Sequence, residues 1–384
     1  MANNRIYYAI QQIAMGPSGS EVVLHGLQSV GITSTFNLEE VFELGQLALY
    51  ENAETTPDVE VTAQKVLDGY PLIYTLATET GCTDDGTAVA TSADLAGRSK
   101  AKTDVYLTIW PDDVVSCGYN DGSGPAAALS GSCAELVCSG MYVNSISYTF
   151  PVDGTFTEDV TLVGNAKNWR TASIAGAFTD NDDSPAAETG VGRRQDLKMD
   201  DCIFPDDIPG ITAQIYADNT GDRKGGYVSG GLNDRAGTPS ESASLSRGHE
   251  VHFQNITLST DFGGREAIYE LGSFKPYFRY VQFPVEVTAE FEIIGTQGDC
   301  VEVDENLGAS DTEYCTTDVN LKNNKIRVIT CEGTSIDLGD KNKLQSVNYT
   351  GGDTGGGNVT ITYSYSNFND FTVVHSSSSS FTSL

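Results

Sequence analysis

The feature that most constrains this chain is a phrase it uses twice. Around Val41 it reads VFELG and then PDVEVTAQKVLDG; around Ile268 it reads IYELG and then FPVEVTAEFEIIG. Glu43-Leu44-Gly45 recurs as Glu270-Leu271-Gly272, and the VEVTA of residues 59–63 recurs at 285–289, at almost the same interval. VEVT alternates apolar and polar residues with the period of a strand, and a tripeptide ending in Gly is turn chemistry. The two blocks predict an internally duplicated β chain, whose units pack side by side or fill two places in a symmetric ring.

The remaining pattern agrees with a mainly β reading of the sandwich or barrel-like kind. Residues 5–14, 21–36 and 104–110 (DVYLTIW), then 249–259, 283–294, 325–330, 344–350 and 359–365, carry β-branched and aromatic residues in alternation. The clearest hairpin lies in 141–164, where two alternating runs flank a turn at Pro151, Asp153 and Gly154, with Trp169 following as an anchor. One or two short helices are expected around KVLDGYPLIYTLAT, at 65–67 and 72–76, broken by Asp68-Gly69 and Pro71. Long loops are expected at 82–100, 118–131, 179–193 and 218–247, where small and polar residues carry no periodicity. The organisation this predicts is a first β unit at 1–175, a loop-rich connection at 176–247, a second β unit at 248–375 and a flexible Ser-rich tail at 376–384.

Charge narrows the function. Fifty-three acidic residues against 22 Lys plus Arg give a net charge of -31, the wrong sign for a protein that grips nucleic acid through phosphates. The same charge suits a wall that DNA must not adhere to, and also plain solubility. Met1 to Ala14 has neither the basic leader nor the sustained apolar core of a signal peptide, and no 18-residue apolar run occurs, so no membrane partner is expected.

Chemistry finds little material. The four histidines include His249 and His252 in RGHEVHF, one residue short of a zincin motif and in strand context, where a spacing of three puts them on opposite faces. Asp84-Asp85, Asp182-Asp183 and Asp206-Asp207 lack the spacing of an EF-hand loop and read as turns. No G-x-S-x-G, P-loop or dinucleotide fingerprint appears. Neither catalysis nor a cofactor is expected. The cysteines, Cys82, Cys117, Cys133, Cys138, Cys202, Cys300, Cys315 and Cys331, have no CxxC pair to favour zinc. They stand as candidates for disulfides formed in an oxidising medium, with free thiols as the other state.

The phrases NRIYYAIQQIA, GLQSVGITSTFNLEEVFELGQLALYEN, PDVEVTAQKVLDGYPLIYTLAT and SISYTFPVDGTFTEDVTLVGNAKNW resemble the tail tube and virion structural proteins of tailed bacteriophages. The resemblance covers residues 3–80 and 140–170, and the C-terminal strands loosely. It implies a β-sandwich or barrel-like tail-tube fold and a subunit that assembles with itself into stacked rings, a helical assembly around a central DNA channel. Sheath or other tail proteins are then partners, DNA passes transiently through the lumen, and the protein belongs to the virion after assembly in the host cytoplasm. Within the resemblance, the hairpin at Pro151, Asp153 and Gly154 is a wall or ring-contact element and Glu158 and Asp159 are lumen charges. Cysteines near the loops would brace neighbouring subunits. A capsid or tail decoration protein is the alternative, and a secreted carbohydrate-binding β protein a more distant one.

Overall fold

A computed structural model of the chain describes residues 6, 8, 11–82, 94–109, 134–170, 191–193, 197–200, 212–214, 227–229, 252–263, 265–273, 276–294, 326–330, 332–351 and 357–375. The elements run β1 (Gln11–Met15), β2 (Val22–Val23), β3 (Leu27–Thr35), β4 (Leu38–Phe42), β5 (Leu49–Glu54), β6 (Asp58–Val66), α1 (Ile73–Thr78), α2 (Leu95–Arg98), β7 (Thr103–Ile109), β8 (Ala134–Pro151), β9 (Thr157–Gly164) and β10 (Ala166–Arg170). They continue as β11 (Leu197–Asp200), β12 (Thr212–Gln214), β13 (Tyr227–Ser229), β14 (His252–Asp261), β15 (Glu266–Ile268), β16 (Phe278–Tyr280), β17 (Glu286–Ile294), β18 (Arg327–Thr330), β19 (Thr334–Asp337), β20 (Lys343–Thr350), β21 (Thr360–Phe368) and β22 (Thr372–His375).

The protein is mainly β and sandwich-like. Twelve strands form one sheet, and the long strand β8 serves two parts of it. Its first half pairs β7 and β10, and its second half pairs β9 and β14. From β8 outward, one side of the sheet runs β9, β6, β3 and the other runs β14, β17, β21, β20, all antiparallel. Among the described residues β3 pairs only β6 and β20 only β21, so of the two expected forms, sandwich or barrel-like, no barrel closure is seen there.

Period-two patterning makes this sheet two-faced. Val59, Val61 and Ala63 of β6, Val160 and Leu162 of β9, Val287, Ala289, Phe291 and Ile293 of β17 and Ile361, Tyr363 and Tyr365 of β21 are all buried in one continuous core. Phe291 meets Phe253 and Tyr365 edge to face, with ring centroids 5.9 and 5.8 Å apart, the geometry that aligns positive ring edges with negative faces. Helix α1 is buried on every side, as expected of a helix apolar all round, and lies against β8, β9 and β22. The expected helix at 65–67 is instead the end of β6, which continues to Val66. Helices α1 and α2, six and four residues long, are the helices among the described residues. The fold is therefore not helical, and the expected helical assembly has no basis in the architecture of the chain. Strand periodicity leaves no longer 3.6-residue stripe to bury.

Arg265, between β14 and β15, ties β8 to the end of α2. It is buried, donates from Nε to Val143 O at 2.6 Å and from a terminal nitrogen to Ser99 O, and lies over the rings of Tyr142 and Phe262 at 5.1 and 5.2 Å. Burial lowers its pKa to about 10. Arg265→Ala is expected to cost about 2 kcal/mol, because two buried carbonyls lose their donor; urea unfolding checks this.

The segment 176–247, read as a loop-rich connection, falls mostly outside the described residues, as does the tail at 376–384.

Candidate functional site: the open face of the long sheet

Opposite the core, the sheet presents a face built by the alternate residues of the same strands. The registers carry it across eight strands: Ser29, Gln64, Asp159, Ser147, Ser259, Thr288, Ser366 and Lys343 are successive cross-strand partners. A neighbouring row runs Gly31, Thr62, Thr161, Ser145 and Asp261 and, one step past the Thr260–Val287 pair, continues with Glu286 and Phe368. With Glu60, Glu290 and Glu292 in further rows, the face holds six carboxylates on a field of Ser and Thr hydroxyls. The register places one cation on it among the described residues, Lys343 at the first position of β20. Asp58 belongs to the start of β6 and is held by Arg279, with Nη2 3.1 Å from Oδ1.

A face of this kind holds a negative potential and offers hydroxyls for water. Asp159 shows the crowding, since partial burial raises its pKa while a hydrogen bond from Gln64 opposes the shift. Among the described residues no three His, Cys, Asp or Glu gather to hold a metal, and no helix is long and apolar enough to cross a membrane.

The residues expected to line a wall divide between the two faces. Pro151, Asp153 and Gly154 form the turn between β8 and β9, with Gly154 at φ 127°, a backbone region that favours glycine. Asp159 is on the open face. Glu158, its neighbour, is fully buried and presents no charge to solvent. Its carboxylate accepts from the backbone N–H of Ile73 at 2.7 Å and of Tyr74 at 3.1 Å, and from the Tyr148 hydroxyl at 2.8 Å. Leu72, the N-cap of α1, offers no side-chain cap, so Glu158 satisfies from a strand the orphan N–H groups of the first helical turn. Burial raises its pKa, against the pull of those donors. Two adjacent acids on a strand must face opposite ways, and only packing decided which went in.

The disulfide expectation is corrected. Cys82 and Cys138 are free thiols; Cys138 is a core residue of β8 whose pKa burial pushes to about 11, so packing explains it. Cys117, Cys133, Cys202, Cys300, Cys315 and Cys331 lie outside the described residues, as do Trp110, His249 and the Asp-Asp pairs named above. Trp169, read as an anchor, is on β10 and exposed. The open-face acids Glu60, Asp261, Glu286, Glu290 and Glu292 were not singled out from sequence, although each occupies the polar phase of an alternating run.

The twice-used phrase builds two similar projections. β4 and β5 form one two-stranded hairpin, β15 and β16 another. Leu44-Gly45 and Leu271-Gly272 form their turns, with glycine φ of 94° and 91°. Leu44 and Leu271 are 103% and 106% exposed, Phe42 and Tyr269 61% and 57%.

Fold and face together define a mainly β, sandwich-like protein with an extended acidic surface. Comparison with protein-family models and with curated proteins gives no match. A solved cryo-electron microscopy structure of the cap that terminates the tube of the anti-feeding prophage is similar to 45% of this chain and 95% of that chain, at 10% identity and a TM-score of 0.29. The likeness is distant and partial.

Proposed function

We propose that this protein is a structural subunit of a phage tail tube that joins copies of itself into stacked rings around a channel for DNA, with its open face turned inward. The observation that carries this reading is the order of strands. β3, β6, β9 and β8 follow one another across the sheet as β14, β17, β21 and β20 do. In each set the first strand leads through an ELG hairpin to the second, and the last two form a hairpin of their own. The sets are joined edge to edge at β8 and β14, which leaves β3 and β20 as the outer edges. An unpaired edge is a template for another strand. Repeating the β8–β14 junction between copies, β20 against β3, generates a closed ring in which each copy fills two places. Three copies would supply six such sets.

In that ring the hydroxyl and carboxylate face forms a continuous wall. Like charge keeps DNA from adhering, which is the condition for passage. Sheath or other tail proteins would meet the outer surface, and the protein would reside in the virion.

The junction has a definite register. Thr33 lies opposite Glu60 as Asp261, one step past the Thr260–Val287 pair, falls at Glu286, and Lys343 lies opposite Ser366 as Ser145 lies opposite Thr161. Since Asp261 faces Ser145 within the chain, Thr33 should face Lys343 of the neighbouring copy. Directly opposed side chains have Cβ atoms about 4.5–5.5 Å apart, close enough to tether. A variant carrying Thr33→Cys and Lys343→Cys should give, on mild oxidation, a ladder of covalent oligomers ending at the ring size, beyond anything the single variants give. No such ladder, together with a lack of rings in electron micrographs of concentrated wild type, would remove the reading. Ile32→Lys supplies a second check. Ile32 is partly buried at the β3 edge, where an inward-pointing lysine blocks strand addition, so association should fall in a variant that still melts cooperatively, at a lower temperature for the lost packing.

A further inference from the structure

The two ELG hairpins share their turns and their exposed tips but differ at the base. The base of the β15–β16 hairpin is seated: Arg279 is buried and donates to Asn165 Oδ1 at 3.0 and 2.8 Å and to Asp58 Oδ1 at 3.1 Å. Tyr277 and Phe278 line a cleft that Gly140, Tyr142 and Ala166 complete. The second hairpin therefore leans on the corner of the sheet where β6 begins and β9 ends. In the β4–β5 hairpin every residue of β4 is exposed, as are all of β5 except Ala53. A lone two-stranded hairpin is marginal in water, and this one exposes Phe36, Leu38, Phe42, Leu49 and Tyr50.

We infer that the β4–β5 hairpin docks on a second copy of this chain, at the corner where β17 begins, β21 ends and β20 starts. The inference rests on the ring reading above and adds a clasp to it. The corner is the counterpart of the one that seats the second hairpin. Asn165 holds the start of β6 by donating to Pro57 O at 2.8 Å, and Asn369 holds the start of β17 by accepting from Val285 N at 2.8 Å. Its chemistry complements the hairpin. Glu39, Glu40, Glu43, Glu51 and Glu54 stud a hairpin whose strands and turn, 38–54, contain no Lys or Arg. The corner exposes Lys341 and Lys343 together with Phe283 and Phe368, next to the acids Asp340 and Glu286, in a chain where cations are scarce. Geometry agrees, because the hairpin leaves β3 just beyond Thr33, the residue that the ring register sets against Lys343.

The test is a charge exchange in the full chain, with association followed by sedimentation velocity over a concentration series and folding checked by melting. Glu39→Lys with Glu40→Lys, and separately Lys341→Glu with Lys343→Glu, should each weaken association by about tenfold or more, since like charges facing across an interface are penalised. The four substitutions together should restore much of the loss. If the glutamate pair reversal associates like wild type, or the combined variant recovers nothing, the clasp is overturned while the β3–β20 junction stands on its own tether. If the wild type does not self-associate at any concentration, the ring reading fails and the clasp with it.

Discussion

Glu158→Ala lowers the free energy of unfolding by about 3–4 kcal/mol, the cost of stranding two buried N–H groups and a buried hydroxyl at roughly 1 kcal/mol or more each. No water can replace the carboxylate, because Glu158 and its partners Ile73, Tyr74 and Tyr148 are all in the core. The loss starts at the first turn of α1 and spreads through the aromatic cluster in which Tyr148 and Tyr74 approach Phe371, at 6.4 and 6.1 Å. Asp159→Ala, one residue further along β9, stays within about 0.5 kcal/mol of wild type as a substitution away from such features should. Urea unfolding of the two variants side by side checks the contrast; equal effects would mean that Glu158 does not cap α1.

The pH dependence has a definite sign. The folded pKa of Glu158 is raised, chiefly by burial. Its stabilising contribution is therefore complete below the ordinary carboxylate value and declines as pH rises through the folded one. The gap between wild type and Glu158→Ala should be widest near pH 4 and narrow toward neutrality. A gap that widens with pH would show that the hydrogen-bond donors outweigh burial.

Replacing Glu286, Glu290 and Glu292 together with lysine converts the open face from one that rejects duplex DNA to one that retains it. The wild type is expected to show no retention at physiological salt, in keeping with a net charge of -31. The variant should bind with a log–log salt slope of about −3 per copy if each new lysine reaches one phosphate. All three positions are on β17 and belong to the solvent phase of its alternation, so folding should survive. Electron micrographs of assembled variant with DNA then locate the face. Density inside the rings supports the channel, whereas DNA coating the outside would place the acidic face on the exterior and remove the passage mechanism.

Much of this was written locally. The alternation of VEVT, DVYLTIW and FPVEVTAEFEII announces β6, β7 and β17, because burying one face of a strand requires period two. Pro151, Asp153 and Gly154 announce the β8–β9 turn, because a glycine is needed where φ becomes positive. The repeated ELG announces two turns of the same shape for the same reason. The disulfide expectation fails at Cys82 and Cys138, which are free thiols, because residue type says nothing about burial, and Cys138 proves to be core filling. Trp169 was misread as an anchor because size says nothing about which strand is at an edge.

Sequence by itself determined the class of structure, many of its strands and turns, the excess of negative charge and the recurrence of the ELG and VEVTA phrases. Tertiary structure alone decided that Glu158 turns inward to cap α1 while Asp159 turns out, that six acids from four separate strands share one face, and that β3 and β20 are edges among the described residues. The physical reason is range. Strand period and turn chemistry are set by neighbours along the chain, whereas which face is buried and which edge is left unpaired depend on contacts between residues far apart in sequence, such as Glu158 with Ile73 or Asp261 with Ser145.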